Sequence, residues 1–483
     1  MSASAQINSR LNHPVIDADG HWIEFEPVML DYLDSVAGPR MVDRFRREDY
    51  LAGSGSVSRM KLEERRIRRL TQPAWWGLPT RNSLDRASAM LPRLMYERLE
   101  EMGLDFAIVY PDHALFFPAI RDHELQLAAY RAYNVMAADL FRGLSDRLIP
   151  VAGIPMNTPE EAIEELDYAK KLGLKAMLMR SLIRRPIPGV SNLGDAGWRD
   201  FWPDTLGLDS EYDYDPVWAK CVELRVAPTF HTASQGIGTR VSYSNYVYNH
   251  IGHFAAAGEA VCKSLFLGGV TRRFPSLKFG FLEGGVGWAC MLYNDLINHW
   301  KKRNIAALEN TDPTNLNLET IAEAFLRYGT QALRGRTNQL DALRRLDTDC
   351  EPVDDFGRCA ITRPEDIRDL FVDHFYFGCE TDDPITAWAF RHEVNAGGVK
   401  LRAMMGSDIG HFDVVDMTNV LVEAYALVER RLLDEDAFRD FVFGNAVRLW
   451  GGLDPNFFKG TAVEKQAAAI LGESSHYVSR DKS

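Results

Sequence analysis

Eight short apolar runs govern what this chain can fold into. They fall at residues 15–18 (VIDA), 106–110 (FAIVY), 149–154 (IPVAGI), 176–179 (AMLM), 227–231 (APTFH), 278–282 (KFGFL), 374–378 (HFYFG) and 401–405 (LRAMM). Each is too short for a helix and is bounded by breaking residues, the pattern of strands buried on both faces of a parallel sheet. Helical signals lie between them. Thr158-Pro159-Glu160-Glu161 is a capping box with proline at the first helical position, and Gly173 closes that helix. Ala162, Ile163, Leu166, Ala169 and Leu172 put one apolar stripe on it. Residues 362–365 repeat the capping pattern, and residues 416–433 read as a further amphipathic helix. This alternation predicts a (β/α)8 TIM barrel, with an open doubly wound sheet as the rival architecture.

A plain barrel of this kind needs about 250 residues, and this chain has 483. The surplus is assigned to long loop insertions near 35–100, 181–215 and 300–370, because none of these carries an independent set of elements. One domain over 14–460 and a C-terminal tail over 461–483 are expected, the tail lying over the surface or against a partner subunit. Asp plus Glu outnumber Lys plus Arg by 68 to 55, a net charge of −13. That balance argues against a nucleic-acid binder. Residues 1–19 have no apolar stretch of the secretory kind, and no run approaches the ~18 apolar residues of a membrane span. A cytoplasmic protein is expected. The six cysteines lack metal-finger or CxxC spacing, so they are read as buried free thiols.

In a parallel barrel the active site forms at the carboxyl ends of the strands. The first strand ends in Asp17-Ala18-Asp19-Gly20-His21, where alternation puts Asp17, Asp19 and His21 on one side. The fifth ends in His231, the sixth in Glu283-Gly284-Gly285, the seventh near Glu380, Asp382 and Asp383, and the eighth in Gly406-Ser407-Asp408 with His411 close behind. Asp19, His21, His231 and Asp408 make an N/O ligand set for one divalent metal ion, zinc first and manganese as the alternative. Such an ion lowers the pKa of bound water to about 7 and lets a strand-end carboxylate accept its proton. Tyr110, Arg59, Arg81 and Arg180 flank strand ends or lie in the insertions and are candidate substrate contacts. Trp75 and Trp76 are read equally as pocket lining or as a loop anchor.

The segments VIDADGHWIE, DFAIVYP, RLIPVAGIPMNTPEEAIEEL, LGLKAM, PTFH, RFPSLKFGFLEGGVGW, MMGSDIGHFD and FGNAVRLWG run in order from about residue 14 to 460. In them the chain resembles the amidohydrolase-related metal-dependent hydrolases, the branch that includes aminocarboxymuconate-semialdehyde decarboxylase. The resemblance implies a TIM barrel with a mononuclear metal at the strand carboxyl ends. It implies Asp19 and His21 as the strand-one ligands, where the usual motif is Asp-x-His-x-His, and His231 and Asp408 as the others. Many members carry histidine before the Gly-Gly of strand six, whereas this chain carries Glu283.

The expected function is metal-assisted hydrolysis of a C–N or C–C bond in a carbonyl-bearing aromatic or cyclic small molecule. Asp408 would take the water proton, with Glu283 or His411 assisting transfer to the leaving group. Non-oxidative decarboxylation of an aromatic or unsaturated acid is the alternative, and a ligand-binding barrel that has lost its chemistry is a third. A homodimer is expected, with the insertions and the tail as interface material.

Overall fold

The structure is a computed structural model that describes residues 1–47, 60–72, 81–187, 201–234, 236–345 and 354–480. Arg59, Trp75, Trp76 and Cys350 lie outside the described residues. All eight apolar runs form strands: β1 (Ile16–Trp22), β2 (Phe106–Pro111), β3 (Leu148–Ile154), β4 (Ala176–Met179), β7 (Pro228–Phe230), β8 (Phe279–Phe281), β9 (Phe375–Glu380) and β10 (Arg402–Gly406). The two remaining strands, β5 (Ile183–Pro186) and β6 (Phe201–Asp204), pair antiparallel outside the barrel. That small ribbon stands inside the 181–215 insertion.

The barrel sheet has the order β1-β2-β3-β4-β7-β8-β9-β10, every pair parallel, which is the (β/α)8 arrangement. The seam between β10 and β1 is drawn together at its carboxyl end. There the Asp408 N–H donates to the Asp19 carbonyl and the His21 N–H to the Ile409 carbonyl, both at 2.9 Å. The strands are buried on both faces, as expected of a parallel sheet under a ring of helices.

The helix Pro159–Lys171 begins as its sequence directs, the Thr158 side chain accepting the Glu161 N–H and Gly173 taking a positive φ just past the end. At 362–365 the cap works differently. The acceptor is Asp366, whose carboxylate takes the N–H groups of Thr362 and Arg363 together with the Thr362 hydroxyl. The stretch 416–433 is helical over Val420–Glu429. The helix Glu464–Arg480 in the tail is no loose extension. Val463, Ala467 and Ile470 are buried, and Leu471 packs against Gly451 of the helix Asn445–Gly451. The five described cysteines are free and buried. Among the described residues no helix is long and apolar enough to cross a membrane.

Candidate metal centre

The register of β1 against β2 slips between Asp17 and Gly20, so simple alternation breaks there. Asp17 does not join Asp19 and His21 at the centre. Its carboxylate accepts the Ser407 N–H at 2.9 Å, the Ser407 hydroxyl at 2.5 Å and the Asp19 N–H at 3.1 Å, which pins β10 to β1. Burial pushes Asp17 up to about 6, against these hydrogen bonds. Gly406 is needed beside it: a Cβ there would stand 2.8 Å from the Asp19 Cβ.

Asp19 and His21 then meet groups from β7, β8 and β10. His21 Nδ1 lies 3.1 Å from the Pro111 carbonyl and donates to it, which fixes the tautomer and turns Nε2 toward the centre. Nε2 stands 3.6 Å from Asp19 Oδ1 and 3.2 Å from Asp408 Oδ1. His231, immediately after β7, has Nε2 3.8 Å from Asp19 Oδ1 and 2.9 Å from Glu283 Oε2. Its ring is held edge-on by Phe254 at 5.1 Å between centroids. His411 stacks on His21 at 3.8 Å, with Nδ1 2.7 Å from Asp408 Oδ1 and Nε2 3.4 Å from Asp112 Oδ1.

Glu283 and Asp408 both take left-handed backbone conformations, at φ 53° and 54°. Residues with a Cβ rarely adopt these, and such conformations cluster where function requires them. In both cases the turn directs a carboxylate from the end of a strand back over the barrel mouth.

The residues fit a divalent metal ion on the chemistry of their atoms. Asp19 Oδ1, His21 Nε2, His231 Nε2, Glu283 Oε2 and both Asp408 oxygens are buried and make no well-directed hydrogen bond. Buried polar atoms in that state are costly unless a ligand completes them. One ligand atom each from Asp19, His21 and His231 fall within 4.8 Å of one another, as do those of His21, Glu283, Asp408 and His411. Burial and the Asp408 charge hold Asp19 and Glu283 well above the ordinary carboxylate range. Asp408 goes the other way: burial opposes its charge, but His411 and His21 hold it well below that range. Burial likewise opposes a proton on His411, which Asp408 and Asp112 nevertheless raise well above the usual imidazole value. His231 is pushed well down by burial and by the neighbouring imidazoles. The centre therefore carries a neutral imidazole facing carboxylates on one side and a charged His411–Asp408 pair on the other.

The other described sequence candidates supply no atom to these two groups. Tyr110 is fully buried beneath the histidines, its hydroxyl donating to Thr229 Oγ1 at 2.9 Å, and Thr229 Oγ1 in turn donates to the Met177 carbonyl. Its ring lies 6.3 Å from that of His21 and 6.0 Å from that of His231, bracing both from the barrel interior. Arg81 is exposed just ahead of the helix Ser83–Met90. Arg180 follows β4 on the carboxyl-end face.

Other residues join the site without a strand-end signature. Asp112, one residue past β2, partners His411, and its loop is shaped by Glu24, whose carboxylate accepts the N–H groups of Asp112, His113 and Ala114. Asp413 is pushed up to about 8 by burial and by Asp408, and Glu380 to about 7 by burial and the surrounding acids. Beyond β7, Tyr246, His250, His253 and Phe254 form a wall of rings with centroid separations of 4.0 to 4.9 Å between neighbours. Phe254 ties that wall to His231. The Asp413 charge could have been suspected from its place after His411; the wall offers no signal in the sequence, because it lies in a long connection.

Residues 114–311 match the amidohydrolase family model. The amidohydrolase match takes in His231 and Glu283, and over it the resemblance drawn from the strand-end motifs holds. Among solved structures, an amidohydrolase from Mycobacterium avium subsp. paratuberculosis K-10 superposes with a TM-score of 0.53 at 18% identity, covering 91% of this chain and 98% of that one. An IDCase from Metarhizium anisopliae in its apo form gives 0.50 at 12% identity, covering 92% and 98%. A 5-carboxyvanillate decarboxylase from Novosphingobium aromaticivorans DSM 12444, complexed with manganese, gives 0.47 at 14% identity, covering 91% and 96%. For the first two of these, at such identities, the likeness is one of fold. No curated protein matches the sequence.

Proposed function

We propose that the chain is a metal-dependent hydrolase that cleaves a C–N or C–C bond beside a carbonyl in an aromatic or cyclic small molecule. Asp19, His21, His231 and Asp408 would hold one divalent ion, zinc or manganese. The observation that supports this reading is that uncompleted, buried donor atoms of Asp19, His21 and His231 lie within 4.8 Å of one another, and that His21 belongs to a second such group with Asp408, Glu283 and His411. When bound, the ion supplies Lewis acidity toward a carbonyl and makes water acidic enough to ionise near neutral pH.

The chain's own groups divide the proton work. Asp408, kept ionised by His411 and His21, accepts a proton from water at its free oxygen. His411 holds Asp408 in place through the 2.7 Å contact and supplies the cation that a strand-six histidine would otherwise bring. Glu283, whose proton is retained by burial and by Asp408, donates to the leaving group. The Phe254 ring and the buried strand ends exclude bulk water, which strengthens each of these interactions.

Decarboxylation is the second reading, favoured by the carboxylate ligand Asp19 and by protonated His411 as a donor to ring carbon. One experiment separates them. Purified protein is stripped with chelator, reloaded with zinc or manganese, and screened on aromatic amides, lactones and carboxylic acids in oxygen-18 water. Hydrolysis places the label in product and releases no carbon dioxide; decarboxylation does the reverse. Turnover that survives complete removal of metal refutes the proposal.

A further inference from the structure

Arg180 is a half-buried arginine whose guanidinium hydrogen-bonds no carboxylate among the described residues, although the Glu161 charge reaches it from farther off. Its Nη1 donates to Gln126 Oε1 at 2.9 Å and Asn157 Oδ1 at 2.7 Å, and its Nη2 to the Pro118 carbonyl at 3.3 Å. All three acceptors are neutral. Nε is buried and makes no hydrogen bond among the described residues. Burial holds the guanidinium below its usual value, and Arg185 adds like charge. Arg121 and Arg180 in turn act on Arg184, which burial lowers to about 10. Arg65 is another buried arginine held by neutral acceptors, the Tyr243 and Met60 carbonyls and Gln72 Oε1, but there Nε is satisfied, whereas on Arg180 it is not. An unpaired buried charge is costly, and it persists where a ligand of opposite sign completes it.

Its position matches that need. Leu178 of β4 is opposite Thr229 of β7, so two residues further Arg180 comes level with His231 on the neighbouring strand. Adjacent strands stand about 4.8 Å apart. The hydroxyl of Ser181, the next residue, donates a 2.7 Å hydrogen bond to Oγ1 of Thr232, the residue after His231, which locks the two strand ends together. From there the side chain reaches across the end of β3 to Asn157 and to the connection after β2 that holds Pro118 and Gln126. The guanidinium thus starts one strand away from His231 and runs over the barrel mouth away from the acidic centre.

We propose that Arg180 is the anion subsite of this pocket, and that the small molecule processed beside it carries a carboxylate that pairs with the guanidinium while its reacting carbonyl lies at the Asp19–His21–His231–Asp408 centre. This rests on the functional reading above for the reacting end, but the subsite itself does not need the metal. The planar fork of arginine suits a carboxylate with two parallel hydrogen bonds, and Nε is the donor that has no partner among the described residues. Gln126 and Asn157 fix the other edge, so the cation is oriented before the ligand arrives.

The test uses benzoate against benzamide as probes, with binding followed by calorimetry on the full chain, metal-loaded and chelator-stripped. Benzoate is expected to bind at least tenfold more tightly than benzamide in both states, and Arg180→Gln to abolish that preference. Arg180→Lys, which keeps the charge and loses the fork, is expected to retain only part of it, and it stands in if the glutamine variant does not fold. Equal binding of the two probes, or a benzoate preference unchanged in Arg180→Gln, overturns the proposal. A preference that disappears on chelation yet survives Arg180→Gln places the anion on the metal, which also overturns it while supporting the metal reading. A preference that survives chelation and needs Arg180, in a protein with no metal-dependent turnover, leaves the subsite standing and removes the hydrolase reading.

Discussion

Among the buried imidazoles through which acid should destabilise this fold, His253 gives the clearest test. His253 is 3% exposed, and neither ring nitrogen has a hydrogen-bond partner. Phe254 lies 4.0 Å and His250 4.5 Å from its ring centroid. Burial, then His250 and Arg240, bring it from 6.5 down to about 3. Between those values the unfolded chain binds a proton that the folded chain refuses, so stability falls as pH drops through that window. At pH 5 the unfolded imidazole is about 1.5 pH units below its own pKa, and each unit is worth about 1.4 kcal/mol, so the loss relative to pH 7 is about 2 kcal/mol. Asp17, Glu380 and Asp413 are carboxyls raised by burial, and they act in the opposite sense, the folded state holding the proton. They are common to wild type and to His253→Phe, a ring of similar size that does not titrate. The measurement is therefore a difference: urea unfolding of both proteins at several pH values from 7 to 5, extrapolated to water. The stability of wild type relative to the variant should fall by about 2 kcal/mol over that range. Parallel pH profiles would refute the reasoning, because they would mean that the folded imidazole accepts its proton.

Further outcomes follow from the centre and its supports. Gly406→Ala puts a methyl 2.8 Å from the Asp19 Cβ, so it should displace Asp19, cost about 1–3 kcal/mol and lower the metal content found by elemental analysis. Unchanged metal content in that variant would show that Asp19 is no ligand. Tyr110→Phe removes the hydroxyl bonded to Thr229 and should cost about 1 kcal/mol in urea unfolding while leaving metal content unaltered. A variant of full stability that loses turnover would mark Tyr110 as a substrate contact.

The barrel was legible because parallel strands must be short, apolar and bounded, and each of the eight runs met those conditions in order. The positions of Asp19, His21, His231, Glu283 and Asp408 were legible for a related reason: the carboxyl end of a barrel strand is a fixed place, so a polar residue just past an apolar run is located by counting. Asp17 escaped that count, since alternation assumes an unbroken ladder and the slip against β2 sends its carboxylate to Ser407. The same two-residue period that brings side chains to the mouth also brings them to the packed interior below, where Tyr110 stands against His21 and His231. His411 could be named from its spacing, but not its stacking on His21 or its contact with Asp112, which depend on how two separate connections fold over the barrel. The wall of Tyr246, His250, His253 and Phe254 had no local signature at all; its members come together through tertiary packing alone.

The charge layout bears on which of the two reactions the pocket favours. Asp19, Glu283, Asp408, Asp413 and Glu380 gather at the centre, where burial first and the Asp408 charge second raise Glu283, Asp413 and Glu380. Arg180 lies toward β3, with neutral partners only. A ligand whose carboxylate pairs with Arg180 has its other end free to lie at the centre. Decarboxylation needs the reverse orientation, with the departing carboxylate at the metal. Hydrolysis needs a neutral carbonyl there, which the acidic cluster admits. The two tests are therefore linked: a benzoate preference that requires Arg180 predicts product that incorporates oxygen-18 and retains its carboxylate, and carbon dioxide release from such a protein would break the link between the anion's place and the reaction.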